Sequence, residues 1–469
     1  MSRMLAPKLA LARAAGGASR LLADRRFGRF SIGGGGTSLP GKLLVWMDAD
    51  AIASLSARLT RGSVLISATN GKTTTAALAA SIFERADIAL VHNQAGANMA
   101  GGIASTLLEA SRRDGRIVGE LGLFEVDEFW LDRLIAQLTP RAIVLGNLFR
   151  DQLDRYGELD TIAERWQDAL ATAAGQQAQL VCNADDPLLA DLARERETIF
   201  FGVEDDSLSL AGLSHAADAK HCRRCGAPYI FEAIYLGHLG RYHCAACGQR
   251  RPSPTVRADQ VELEGVRRAS FRLTTPTGSA HIELGLPGLY NVYNALAAAA
   301  LAVALQIPLP AIVEGLQATG AAFGRAETLA IAGRETRILL VKNPAGANEV
   351  LRTLALEPGE HDLLGVLNDR TADGHDVSWI WDTDFELLAG RVRRVICAGT
   401  RAPELALRLK YAGVQTQRIE VVEALADALE RALAGGEAGR PLYVLPTYTA
   451  MLSLRELLVR RGEATSSWR

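Results

Sequence analysis

From Ser63 onward, short runs of apolar residues alternate with longer stretches in which apolar positions recur every three to four residues. The first pattern predicts buried strands and the second predicts helices packed on them. Strands are expected at Ser63–Thr69, Asp87–His92, Leu121–Val126, Ala142–Asn147, Gln179–Asn183 and Thr198–Val203. Helices are expected at Thr73–Arg85 and Met99–Arg112. This alternation predicts a parallel sheet with helices on both faces, its functional loops at the carboxyl ends of the strands. Residues 215–255 break the rhythm; strand patterns then return to about residue 285, and an alanine-rich helix is expected at Asn291–Leu305. A second α/β unit begins near Arg325, with strands at Ile338–Lys342, Leu363–Leu367, Val395–Ala398, Ile419–Val422 and Leu442–Leu445, and helices at Glu404–Tyr411 and Glu423–Leu433. It reads as Rossmann-like but carries no glycine fingerprint for a dinucleotide.

The 469 residues allow two to four domains; 48% are hydrophobic and 22% charged, which excludes a disordered chain. With 51 basic and 53 acidic residues the net charge is −2, so no global grip on nucleic acid is expected. The longest apolar run, Ala295–Leu305, is 11 residues, too short to cross a bilayer. The first 30 residues hold Arg3, Lys8, Arg13, Arg20, Arg25, Arg26 and Arg29 against Asp24 alone, and have no signal-peptide core. They read as a basic amphipathic helix, either a solvated face or a dock for an anionic membrane or a partner.

The strongest chemical signal is Ser67-Ala-Thr-Asn-Gly-Lys-Thr-Thr-Thr75, between an apolar strand and a helix. Phosphate binding needs that context, because backbone N–H groups at a helix N-terminus point at an anion. Gly71 lets the backbone come close, Lys72 can reach β- and γ-phosphates, and Thr73 can hold Mg²⁺. The first glycine of the long Walker pattern is absent; Ile66 stands there. Glu125, Asp127 and Glu128 end another apolar strand, and hard carboxylate oxygens suit Mg²⁺. Asn147 to Asp154 and Asn183-Ala-Asp-Asp-Pro187 end two more strands, converging on the same rim.

Four of the six cysteines form Cys222-x2-Cys225-x18-Cys244-x2-Cys247. Four thiolates at this spacing suit one tetrahedral, structural Zn²⁺ that clips an insertion too small for its own core. Lys220, Arg223, Arg224, Arg241, Arg250 and Arg251 nearby leave a zinc-ribbon nucleic-acid module as a low alternative. Cys182 and Cys397 lie in apolar strands, not in the sharp turn a nucleophile needs, so neither is expected to act as a nucleophile.

Thr-Asn-Gly-Lys-Thr-Thr, Asn-Ala-Asp-Asp and Gly288-Leu-Tyr-Asn291-Val-Tyr-Asn294 resemble the Mur ligases and folylpolyglutamate synthases. The resemblance implies ATP at Thr69, Asn70, Gly71, Lys72, Thr73 and Thr74, with nucleotide contacts from Asn291 and Arg325, and Mg²⁺ at Thr73 and Glu125. Ala68 departs from the usual glycine, and only about 60 residues precede the phosphate loop, too few for a UDP-sugar domain. With the cysteine insertion, His92 to Met99, Lys342-Asn-Pro-Ala-Gly and Leu367 to Asp382, the chain more narrowly resembles the MurT-type subunits of lipid II isoglutaminyl synthases.

That resemblance implies ATP-dependent amidation of the D-glutamate α-carboxylate of the lipid II stem peptide, through an acyl phosphate. It also implies a GatD-type glutaminase partner in a heterodimer, a cytoplasmic location at the inner membrane face, and no nucleic acid. Asp373 would complete the partner's catalytic site, with Asp369 and Asp376 left as competitors. The alternative is an amino-acid-adding Mur or folylpolyglutamate-type ligase. The expected division is a lead-in over 1–54, a Mur-ligase-like ATP domain over 55–320 holding the zinc ribbon at 215–255, and a C-terminal unit over 321–469.

Overall fold

The computed structural model describes residues 7–14, 38–93, 97–112, 114–151, 159–215, 217–319, 326–436 and 439–464. Arg325, the Gly33–Gly36 run, five of the seven early basic residues and residues 152–158 lie outside them.

The first sheet is built from β1 (Ser63–Ser67), β2 (Leu90–His92), β3 (Leu121–Glu125), β4 (Ala142–Leu145), β5 (Gln179–Asn183), β6 (Thr198–Val203), β9 (Val256–Glu264), β10 (Arg268–Thr275) and β11 (Gly278–Leu284). Between β6 and β9 the insertion forms a separate hairpin, β7 (Ile230–Leu236) and β8 (Leu239–His243). The strand order is β11-β10-β9-β6-β5-β4-β1-β3-β2, parallel from β9 to β2 and antiparallel through β10 and β11. Every residue of β1, β3 and β4 is buried, as expected of strands covered on both faces. Along β1 successive side chains alternate: Val64 and Ile66 enter one core, Leu65 the other. The alanine-rich helix Leu289–Ala304 is buried along most of its length, because small side chains let it lie close on the sheet. The chain runs to one side of β1 and then crosses to the other, which opens a crevice at the carboxyl end of β1.

A second sheet joins β12 (Ala326–Ile331), β13 (Arg334–Leu339), β14 (His361–Val366), β15 (Val392–Ala398), β16 (Ile419–Val421) and β17 (Leu442–Pro446), in the order β12-β13-β17-β14-β15-β16. Only the β12–β13 pair is antiparallel. Its direction reverses between β14 and β17, so a second crevice opens there.

The lead-in differs from a free basic helix. Residues 7–14 are helical, with Leu9 and Ala12 sealed against the core beside the helices Leu39–Met47 and Ala51–Ser56. Lys8 pairs with Asp48 at 2.9 Å, and Arg13 donates to the Leu108 carbonyl at 3.0 Å. The two described basic residues are thus spent inside the chain. No described helix is long and apolar enough to cross a membrane.

Candidate active site

The phosphate loop follows β1 at the first crevice. Its polar side chains are tied to the loop after β4: Thr69 Oγ1 donates to the Phe149 carbonyl (3.2 Å) and accepts from the Phe149 N–H (3.0 Å). The Asn147 side chain accepts from the Asn70 N–H (2.9 Å) and donates to the Asn70 carbonyl (3.0 Å). Gly71 then caps the helix Lys72–Arg85 with φ +87°, a left-handed conformation that glycine adopts without a Cβ penalty. The helix opens directly toward the crevice, and its first N–H groups are available to an anion.

Lys72 is buried and ion-paired to Glu128 at 2.9 Å, and it also donates to the Ala68 carbonyl. Burial opposes its charge, but Glu128, Asp127 and Asp151 outweigh burial and hold the ammonium above its ordinary value. Burial raises the Glu128 carboxyl, with Lys72 pulling the other way. Thr73 Oγ1 donates to Glu125 Oε2 at 2.9 Å, so the two residues expected at Mg²⁺ share one spot. Glu125 is fixed from behind, since Asn93 bonds both its backbone N–H (2.8 Å) and its carbonyl (2.9 Å). A hydroxyl and a carboxylate in contact are hard oxygen donors of the kind Mg²⁺ takes. Trp166 donates to the Glu128 carbonyl at 2.9 Å and anchors that loop.

A cavity of about 1140 Å³, including its open mouth, extends from this loop. Asn70, Gly71, Thr73, Thr74 and Asn291 line it, with Leu236, Leu239, Tyr290 and Asn294. Asn291 accepts from Asn294 at 3.1 Å and donates to the Pro287 carbonyl at 2.7 Å. Asn294 also accepts from Thr75 (3.3 Å), which ties the alanine-rich helix to the phosphate-loop helix. The C-terminal unit reaches in as well. Asn343 and Asn70 exchange side-chain amide bonds at 3.0 and 3.3 Å, and Lys342 pairs with Asp151 at 2.7 Å.

Asp185 and Asp186 serve the scaffold. Buried Asp185 accepts from Arg251 (2.6 Å), Tyr293 (2.6 Å) and the Val203 N–H (2.9 Å). Asp186 caps the short helix Pro187–Leu192 and accepts from the Leu148 N–H. The sulfurs of Cys222, Cys225, Cys244 and Cys247 lie within 4.8 Å of one another, a grouping that fits one tetrahedral ion. Cys182 and Cys397 are sealed; burial pushes the Cys397 thiol up to about 12 and Cys182 well above its ordinary value, so neither offers a thiolate.

Asp373 lies at the second crevice. It is buried, and its carboxylate accepts from the Thr449 N–H (2.7 Å) and from the Thr449 hydroxyl. Burial raises its carboxyl against the pull of Thr449. Its competitors are engaged differently. Asp369 accepts from Thr400 (2.8 Å) and Arg401 (2.7 Å), which hold it low, and Asp376 caps the Ser378 N–H at 2.8 Å. Of the three, only Asp373 is buried.

The structure thus gathers Thr69, Asn70, Gly71, Lys72, Thr73, Thr74, Glu125 and Asn291 at one crevice and sets Asp373 at another. Sequence reasoning did not select Glu128 as the partner of Lys72, nor Asn294, Lys342 and Asn343 as site residues. The Asn291-x2-Asn294 spacing puts both amides on one helix face, which was a signal for Asn294.

Residues 66–245 match the Mur ligase middle domain, and residues 340–451 match the MurT ligase C-terminal family. A lipid II isoglutaminyl synthase (glutamine-hydrolyzing) subunit MurT of Streptococcus pneumoniae is 34% identical, over 91% of this chain and 93% of its own length. The Staphylococcus aureus protein of the same description is 32% identical, over 93% and 96%. Among solved structures, a pseudomurein peptide ligase type C from Methanothermus fervidus shares the fold at a TM-score of 0.66 and 24% identity, covering 87% of this chain and 80% of its own.

Proposed function

The chain belongs to the MurT family of Mur-type ligases, and from that premise we propose that it is the synthetase half of a glutamine-dependent lipid II amidating enzyme. The observation that carries this reading is the near-full-length likeness to two lipid II isoglutaminyl synthase subunits, joined to a phosphate loop that faces acidic residues. The product is D-isoglutamine in the stem peptide.

A carboxylate is a poor electrophile, and phosphorylation by ATP turns it into an acyl phosphate that ammonia can attack. The Asn70–Thr74 backbone and the helix N-terminus cradle the phosphates. Lys72 leaves Glu128 for the transferring phosphoryl group and neutralises its charge. Thr73 and Glu125 would hold Mg²⁺, which supplies charge neutralisation on the phosphate oxygens. The four cysteines would hold Zn²⁺, which closes the insertion.

Ammonia comes from a separate glutaminase subunit. Asp373, oriented by Thr449, would complete that partner's catalytic histidine. The substrate is lipid-linked, so the chain works at the membrane surface. The outer sides of the first helices support this: Leu11, Leu39 and Trp46 are exposed, Trp46 at 83%, and Lys42 lies between the last two.

The test is an amidation assay with ATP, lipid II and a choice of nitrogen source. Ammonium alone should yield product, and glutamine should do so only with the partner present. Product from a free amino acid would favour an amino-acid-adding ligase instead. Asp373→Asn should cripple glutamine-dependent turnover about 10²–10⁴-fold and leave ammonium-dependent turnover intact. An equal loss of both would remove Asp373 from the partner's site.

A further inference from the structure

The insertion reads as a clip, yet its far end lies at the nucleotide cleft. β7 and β8 meet at Leu236-Gly237-His238-Leu239, and both leucines line the same cavity as Asn70, Gly71 and Asn291. The turn is seated tightly. Gly237 takes φ +59°, and a Cβ there would come within 2.7 Å of the Phe149 ring. Phe149 itself lines the cavity, and its N–H is held by Thr69 of the phosphate loop. His238 is fully buried; its ring centroid lies 4.5 Å from that of Phe149, and its Nδ1 accepts from the Asp218 N–H at 3.3 Å. The Gly240 N–H donates to the Asp185 carbonyl at 2.9 Å.

The other end of the hairpin runs straight into the cysteines. Cys244 follows β8, and Cys222 and Cys244 share a small cluster with Tyr229 and Tyr242, whose rings are 5.1 Å apart. One rigid hairpin therefore joins the sulfur cluster to the cavity wall.

The cavity is chemically split. Asn70 to Thr74 present amides, hydroxyls and the lysine helix turn, whereas Leu236, Leu239, Leu286, Leu340 and Val350 present hydrocarbon. A triphosphate suits the first part. A flat heteroaromatic base suits the second, where the Asn291 and Asn294 amides supply polar contacts within an apolar slot.

We propose that the tip of the cysteine-clipped hairpin is a wall of the nucleotide cleft, with Leu236 and Leu239 as positioning residues for the nucleoside part of ATP. This rests on the reading of the cleft as an ATP site. The insertion then does more than hold itself together. It sets the width of the slot, and the state of the four cysteines governs nucleotide affinity from a distance.

The test compares Mg-ATP with inorganic Mg-tripolyphosphate by calorimetry on the full chain, with bound zinc and the unfolding midpoint measured in parallel. Leu236→Trp narrows the slot. It should weaken ATP at least about tenfold, leave tripolyphosphate unchanged and keep zinc and midpoint near wild type. Should that variant lose its midpoint, Leu236→Ala replaces it and should weaken ATP several-fold with the same selectivity. Unchanged ATP affinity in a well-folded variant overturns the wall, as does equal weakening of ATP and tripolyphosphate. A wild-type chain that binds no ATP would instead overturn the ATP reading, and the wall with it. Cys247→Ser, which removes an exposed ligand, should lower zinc content and ATP affinity together; lost zinc with unchanged ATP affinity would sever the link between clip and cleft.

Discussion

Lys72 has two partners to serve. Glu128 and the Ala68 carbonyl hold it, and the proposed mechanism asks it to turn to a phosphate. Lys72→Ala should lower amidation with either nitrogen source by about 10²–10³-fold or more, read as product by mass spectrometry. The same change leaves Glu128 buried without its cation, at a cost of about 3–5 kcal/mol in unfolding free energy. Adding Glu128→Gln should restore most of the stability and none of the activity, which separates the two roles of the lysine. Gly71→Ala makes a sharper steric test. Its Cβ would overlap the Asn294 amide at a φ that costs a non-glycine residue about 1–2 kcal/mol. Nucleotide binding should be lost while the far sheet stays folded, as hydrogen exchange can check. The phosphate-loop residues were legible in the sequence because they are contiguous and bracketed by a strand and a helix. Glu128 and Asn343 were not, since they reach Lys72 and Asn70 across 56 and 273 positions and only the topology brings them there.

At the scale of elements, the buried parallel strands were the most legible, because strands covered on both faces are apolar throughout. β5 and β6 span the residues their apolar runs mark, and the helix Ala402–Tyr411 starts within two residues of its expected beginning. The hairpin β7–β8 was invisible, since its stability comes from sulfur and aromatic contacts, not from periodicity. The helix Pro344–Ala355 also escaped, although Asn343-Pro344 is a capped start: the Asn343 side chain accepts from the Gly346 N–H. β2 carries a pH signature. Burial lowers His92 to about 4 from an ordinary 6.5, so the native strand resists the imidazolium. The unfolded chain takes up a proton near 6.5 and the folded chain only near 4, so stability is full above 6.5 and falls as pH drops through that window. The loss is up to about 3 kcal/mol. Thermal midpoints should fall between pH 7 and 4.5, and His92→Gln should flatten the slope by about one proton.

Across the whole molecule, the order of strands reverses once in each sheet, and each crevice so formed holds candidate site residues: the glycine-lysine loop at β1, Asp373 between β14 and β17. The α/β class could be read from alternating patterns, as could the presence of strands on both sides of residue 325. The meeting of the units could not, because it rests on single side chains. The exposed apolar face of the first helices should bind lipid vesicles. Trp46→Ser with Leu39→Ser should abolish most of that binding in a sedimentation assay and leave the unfolding midpoint unchanged. The amide pair between Asn70 and Asn343 has a further meaning. Within the pair each side chain gives one bond and takes one, and Asn343 is further fixed by the Gly346 N–H and by Asp151. The loop after β1 is therefore held by a residue of the C-terminal unit, so a change at Asn343 acts on that loop across 273 positions of chain.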